Sequence, residues 1–224
     1  MGRTRRFTTL SLGMTAIILA LAMIALGACG DDDGDGQGDV SVTELKNSLP
    51  AADDLGLVQQ GEFEWDNATD LLDRALVLPA ATDASELGTA VEDAGFQAAV
   101  SRALEDPDRN VRIVAAQFDS DQGALDVRDL LHEEDLKQPC AEFCAVSPIE
   151  YELDIPDSAA VHHVPTRVKP PGGEHKGHVE AHHAEFVIGP RLYVVQVDGP
   201  PSHTFSADFD KLMQTVYESA SSAE

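Results

Sequence analysis

Basic residues are scarce in this chain of 224 residues: 15 lysines and arginines face 40 aspartates and glutamates, for a formal charge of −25. So negative a surface repels phosphate backbones and anionic headgroups, which argues against nucleic acid as a partner. The ordinary role of such a coat is solvation. Several motifs are missing. No segment of 20–50 residues repeats, which excludes solenoids and propellers. There is no Gly-x-Ser-x-Gly elbow, no His-Glu-x-x-His, no P-loop and no Gly-x-Gly-x-x-Gly, so no familiar catalytic machinery is in view. Carboxylates are too common for any pair to stand out as an acid/base couple. A non-enzymatic role is expected, with a hydrolase of concealed site as the alternative.

Enough apolar material is present for one ordinary domain: a hydrophobic share of 43%, with eight Phe, three Tyr and one Trp. The first 28 residues stand apart from it. Arg3, Arg5 and Arg6 precede an apolar run of about fourteen residues (MTAIILALAMIALG), which ends in Leu26-Gly27-Ala28-Cys29. Basic, apolar, then small is the order of a secretory signal, and the run is marginal in length for a membrane span. Arg5-Arg6-Phe7 is only a near miss of the twin-arginine pattern.

Leu26-Gly27-Ala28-Cys29 resembles the bacterial lipobox. That resemblance implies cleavage before Cys29 and diacylation of its thiol, and two acyl chains suffice for stable membrane residence. The arginines then stay on the cytoplasmic side. The expected location is the extracytoplasmic face of the cell membrane. With Cys29 assigned to lipid, Cys140 and Cys144 remain in an oxidising compartment, and a disulfide between them is the economical inference.

Residues 29–41 follow as the lipidated cysteine and an Asp/Gly tether, a coil spanning about 20 Å. The same stretch almost fits a calcium loop. Asp33, Asp35, Gln37, Gly38, Asp39, Val40 and Glu44 fall at loop positions 1, 3, 5, 6, 7, 8 and 12. After cleavage, however, too few residues remain to build an entering helix. A tether is the preferred reading.

From residue 42 to 224 the patterns predict a single α+β domain, an antiparallel sheet covered by helices on one face. SVTELKNSL reads as a short helix, Leu57 to Trp65 as a strand, and Asn67 to Leu78 and Leu87 to Ala94 as helices, the second stopped by Gly95. FQAAVSRAL and VRIVAAQF are strands around the turn EDPDRN, and Ser120 caps a helix from Asp121 to Glu134. IEYELDI, AAVHHV, HVEAHHAEFVI and RLYVVQV read as further strands, the last two joined at Gly189-Pro190. The C-terminal helix is amphipathic: Phe205, Phe209, Leu212, Met213, Val216 and Tyr217 on one face, Asp208, Lys211, Gln214 and Glu218 on the other.

AGFQAAVSRAL…RIVAAQFDSDQGA and AEFVIGPRLYVVQVDGP followed by a helix resemble a broad group of lipid-anchored extracellular proteins of high-GC Gram-positive bacteria. The resemblance spans roughly residues 90–220 on soft motifs. It implies a sensor-like or ligand-binding domain, whose partner is a ligand or an envelope protein, and it implies no active site.

Histidine is the chemical exception. Six of eight lie between His162 and His183: His162, His163, His175, His178, His182 and His183. On a strand, His178, Glu180 and His182 share one face while His183 and Glu185 share the other. His175, in the preceding loop, folds back toward the first group. His175, His178, Glu180 and His182 are therefore candidate ligands for zinc or copper(II). The competing readings are a polar strand surface, a loose metal-binding tract and a pH-responsive charge patch. The Cys-x3-Cys spacing of CAEFC is similar to that of Sco-type copper-delivery proteins, but their strand-to-helix context is missing here.

Overall fold

The computed structural model describes residues 42–78, 82–137, 146–165, 180–199 and 205–223. Cys29, Cys140, Cys144, His175 and His178 lie outside these, as do the tether and the would-be calcium loop up to residue 41. The last member of that loop, Glu44, sits in a helix, 3.9 Å from Arg191.

Among the described residues, seven strands make one wholly antiparallel sheet. In chain order they are β1 (Val58–Trp65), β2 (Phe96–Asp106), β3 (Arg109–Phe118), β4 (Val146–Glu150), β5 (Ser158–Pro165), β6 (Glu180–Ile188) and β7 (Arg191–Gly199). Their spatial order is β1-β2-β3-β7-β6-β5-β4. Two meanders, β1 to β3 and β4 to β7, thus meet along β3 and β7, with Ile113 opposite Val195 and Val114 opposite Val194. Gly189 takes φ 54°, the left-handed conformation that the β6–β7 hairpin requires. At the edges, β1 carries an irregularity between Gln59 and Gly61, and β4 contains Pro148.

The helices are α1 (Val42–Ser48), α2 (Ala68–Ala75), α3 (Ala84–Asp93), α4 (Asp121–Asp135) and α5 (Phe205–Ser222). Their ends follow local chemistry. The side chains of Asn67, Asp83 and Ser120 accept backbone N–H bonds at the starts of α2, α3 and α4. Gly95, at φ 89°, follows α3 and turns the chain into β2.

The α+β class, the antiparallel sheet and the C-terminal helix are as expected. The expectation of helices on one face is corrected: both faces are covered. On the first, Leu45 and Leu49 with Phe209, Met213 and Val216 of α5 pack on Val100, Ile113, Phe186, Tyr193 and Val195. On the second, Leu71, Leu72, Leu87, Val91, Val127 and Leu131 of α2, α3 and α4 pack on Ala99, Val114, Phe118, Leu192 and Val194. Covering both faces requires central strands that are apolar throughout, and Leu192 to Val197 are all buried accordingly. The exception within that run, Gln196, is satisfied by Val77: its Oε1 accepts from Val77 N–H at 2.7 Å and its Nε2 donates to Val77 O at 3.2 Å. The segment IEYELDI is a strand only as far as Glu150.

Arg102 ties the first layer together. It lies on the face that α1 covers, and its guanidinium donates to the carbonyl oxygens of Lys46, Leu49 and Pro50 at 2.7–3.1 Å and to Glu62 at 2.7 Å. The fixed fork of five N–H donors is what allows one side chain to close the end of a helix and hold a carboxylate together.

Candidate functional site

The β5–β6 register places His162 directly opposite His182, so alternation sends His162, Glu180 and His182 to the first face. The two imidazoles stack, 4.0 Å between centroids and 11° between planes. Glu180 Oε1 lies 2.8 Å from His162 Nε2 and 3.8 Å from His182 Nε2. Phe209 stacks on His182 at 4.9 Å, and the Tyr151 hydroxyl sits 3.3 Å from its Nδ1. One potential donor atom from each of His162, Glu180 and His182 falls within 4.8 Å of the others. Burial, then the neighbouring imidazoles, pushes the His182 pKa down to about 3, and burial pushes the Tyr151 phenol far up. His182 is therefore a neutral imidazole, the form that binds metals.

The opposite face of the same strands carries a second group. His163 and His183 pack edge to face, 4.9 Å apart, and His183 Nδ1 lies 2.8 Å from Asp135 Oδ1 at the end of α4. Burial, and then the neighbouring Asp135 carboxyl, raises the Glu185 pKa well above the usual carboxylate range. Burial works to raise the Asp135 pKa, and its interaction with His183, hydrogen bond included, brings it below the ordinary value. All four are buried: Asp135 is 3% exposed, His163 2%, His183 5% and Glu185 1%. Among the described residues, neither ring nitrogen of His163 has a hydrogen-bond partner. A neutral imidazole left so forfeits about 1–3 kcal/mol. Burial, with its histidine neighbours, lowers its pKa to about 4.

Of the residues selected from sequence, Glu180 and His182 come together, and His162 joins them across the ladder. His175 and His178 lie outside the described residues, and so does the pair Cys140 and Cys144. His183 and Glu185 fall on the other face, as alternation requires. Asp135 was not anticipated. Its signal was available: it continues the buried stripe Ala124, Val127, Leu131 of α4 at helical spacing, an acid where an apolar residue belongs. A shallow cleft of about 200 Å³, lined among others by Leu55, Leu57, Arg109, Lys211 and Leu212, lies apart from both groups and gathers no catalytic constellation.

The fold defines a class: a seven-stranded antiparallel sheet between two helical layers. Among solved structures, the extracellular domain of PknH from Mycobacterium tuberculosis has this fold. It superposes with a TM-score of 0.52 at 11% identity, covering 84% of this chain and 98% of that domain. An uncharacterised protein of Mycobacterium smegmatis, the Rv0999 ortholog, matches at a TM-score of 0.37 and 12% identity, covering 80% of this chain and 94% of that one. No family model matches the chain, and no curated protein matches its sequence. The likeness to PknH is one of fold. No helix among the described residues is long and apolar enough to cross a membrane.

Proposed function

We propose that this chain is an extracytoplasmic lipoprotein, anchored by acyl chains on Cys29, whose α+β domain is a non-catalytic binding module for a ligand or an envelope protein. The observation that carries the reading is the fold shared over nearly the whole of a bacterial extracellular domain. The signal segment, the lipobox-like Cys29 and the acidic spacer support it. Two measurements test it. In a bacterial host that processes lipoproteins, the chain should incorporate labelled palmitate and Cys29→Ala should accumulate as an unlabelled precursor; labelling that survives the substitution overturns the anchor. The purified chain, incubated with envelope glycans, peptides and esters, should return them unchanged by mass spectrometry. Cleavage of any of them would establish the hydrolase instead.

One observation favours a second reading, metal handling: the convergence of His162, Glu180 and His182. The proposed ligands are Glu180 and His182 with His162, and with His175 and His178 from the segment entering β6. Calorimetric titration with zinc and copper(II) should show one bound equivalent in the parent chain that a His162→Gln/His182→Gln variant loses. Weak binding at many sites, or a stoichiometry that the variant leaves unchanged, would reduce the triad to a packing cluster.

A further inference from the structure

We propose that Asp135, His163 and His183, with Glu185 closing the fourth position, form a buried structural site for a single divalent transition-metal ion, zinc by donor type. This site is separate from the triad on the other face. The β5 and β6 backbones lie between them, because His162 and His163, and likewise His182 and His183, are consecutive residues on opposite sides of a strand.

The geometry comes first. One donor atom from each of Asp135, His163 and His183 already lies within 4.8 Å of the others. Tetrahedral ligands about 2.0 Å from a zinc ion stand about 3.3 Å apart, which rotamer adjustments within the cluster supply. The unpartnered ring of His163 is the second, independent observation. A hydrogen-bonded polar network would account for His183 and Asp135, which satisfy each other. It does not account for an imidazole 2% exposed, beside a histidine and a carboxylate, with neither nitrogen engaged. Buried polar groups in folded proteins have partners, and an ion in the cluster would be one for His163.

The donor set then selects the ion. Two imidazole nitrogens disfavour magnesium and calcium, which take oxygen ligands. Two nitrogens and two carboxylates suit zinc. Two carboxylates, two neutral imidazoles and a dication also sum to zero charge, which a site this buried demands. With every ligand at least 95% buried, no position is open to substrate. The site is a staple, binding the end of α4 to β5 and β6, and its ion is taken up as the chain folds.

The test uses the full chain in detergent, carrying His162→Gln and His182→Gln so that the triad cannot contribute. Refolded with cobalt(II), it should bind one equivalent and develop the intense visible absorption of four-coordinate cobalt, which one equivalent of zinc abolishes. Adding His163→Gln should remove that absorption, and Glu185→Gln should weaken binding at least tenfold. If the His162/His182 variant binds no cobalt or zinc after refolding, the proposal fails, whether or not the His163 variant folds. Retention of the full spectrum by a folded His163→Gln chain would also overturn it. Failure of the triad titration described above would leave this result untouched.

Discussion

His162 and His182 stack face to face across the β5–β6 ladder, and Phe209 closes the other side of His182. Desolvation in that sandwich keeps His182 neutral, and burial on the opposite face does the same for His163.

Neutral buried histidines make stability depend on pH. The folded pKa values, about 3 for His182 and about 4 for His163, lie below the unfolded value of about 6.5. Their contribution is full above pH 6.5 and is lost as pH falls toward the folded values. Glu185 acts oppositely: its folded pKa is raised, so its protonated form favours the fold less as pH rises above its unfolded value. Two protons against one leaves a net slope between pH 5 and 6.5 that is about 1.4 kcal/mol per pH unit at the acidic end and fades to about zero at pH 6.5, where the unfolded histidines are half deprotonated. Urea denaturation of the chain with a chelator present should show stability falling with acidity in that window. Glu185→Gln should roughly double the slope.

Arg102 carries four hydrogen bonds between α1, the residues after it and β1. Arg102→Ala strips its donor from three carbonyls and the Glu62 carboxylate, of which Lys46 O keeps Leu49 N–H and Glu62 keeps Lys46 Nζ, a loss of about 2–4 kcal/mol. Arg102→Lys recovers less than half, because one ammonium cannot reach all four acceptors. Equilibrium denaturation of both variants checks this.

Gly88 in α3 meets α2 so closely that a Cβ would stand 2.2 Å from Thr69 Oγ1 and 2.9 Å from Thr69 Cα. Helix propensity alone would make Gly88→Ala stabilising by about 1 kcal/mol. Contact reverses the sign, and a loss of about 1–3 kcal/mol is expected. A melting temperature above that of the parent chain would contradict the crossing.

Ser120 Oγ accepts from Gly123 N–H at 3.1 Å and starts α4. Ser120→Ala should lower stability by about 1 kcal/mol. Ser120→Asp should restore it, read from the same denaturation curves.

Much of this architecture is visible in local patterns. The helix start at Asn67, the cap at Ser120, the stop at Gly95, the Gly189-Pro190 hairpin and the amphipathic C-terminal helix are short-range signals, and each lies where it was expected. The second helical layer is hidden because strand alternation in VRIVAAQF sets Val111, Ile113 and Ala115 on one face, with Arg112, Val114 and Ala116 on the other. Val114 and Ala116 between them are buried as well, and that near-continuous apolar run is the mark of a strand covered on both sides. The site divides in the same way. Alternation along β6 separates Glu180 and His182 from His183 and Glu185. Bringing in His162, His163 and Asp135 needs the β5–β6 register and the docking of α4, which depend on pairings 18 to 48 residues apart.

The two outer strands bear on how copies of this protein behave when crowded. An open sheet invites another strand to join at its margin. Here one margin, β1, is kinked between Gln59 and Gly61, with the Phe63 ring lying over that glycine, and it presents Glu62 and Glu64. The other, β4, contains a proline that has no N–H to offer a neighbour. Neither border is a clean template, and with 25 net negative charges per chain molecules held side by side are biased against zipping into a continuous ribbon.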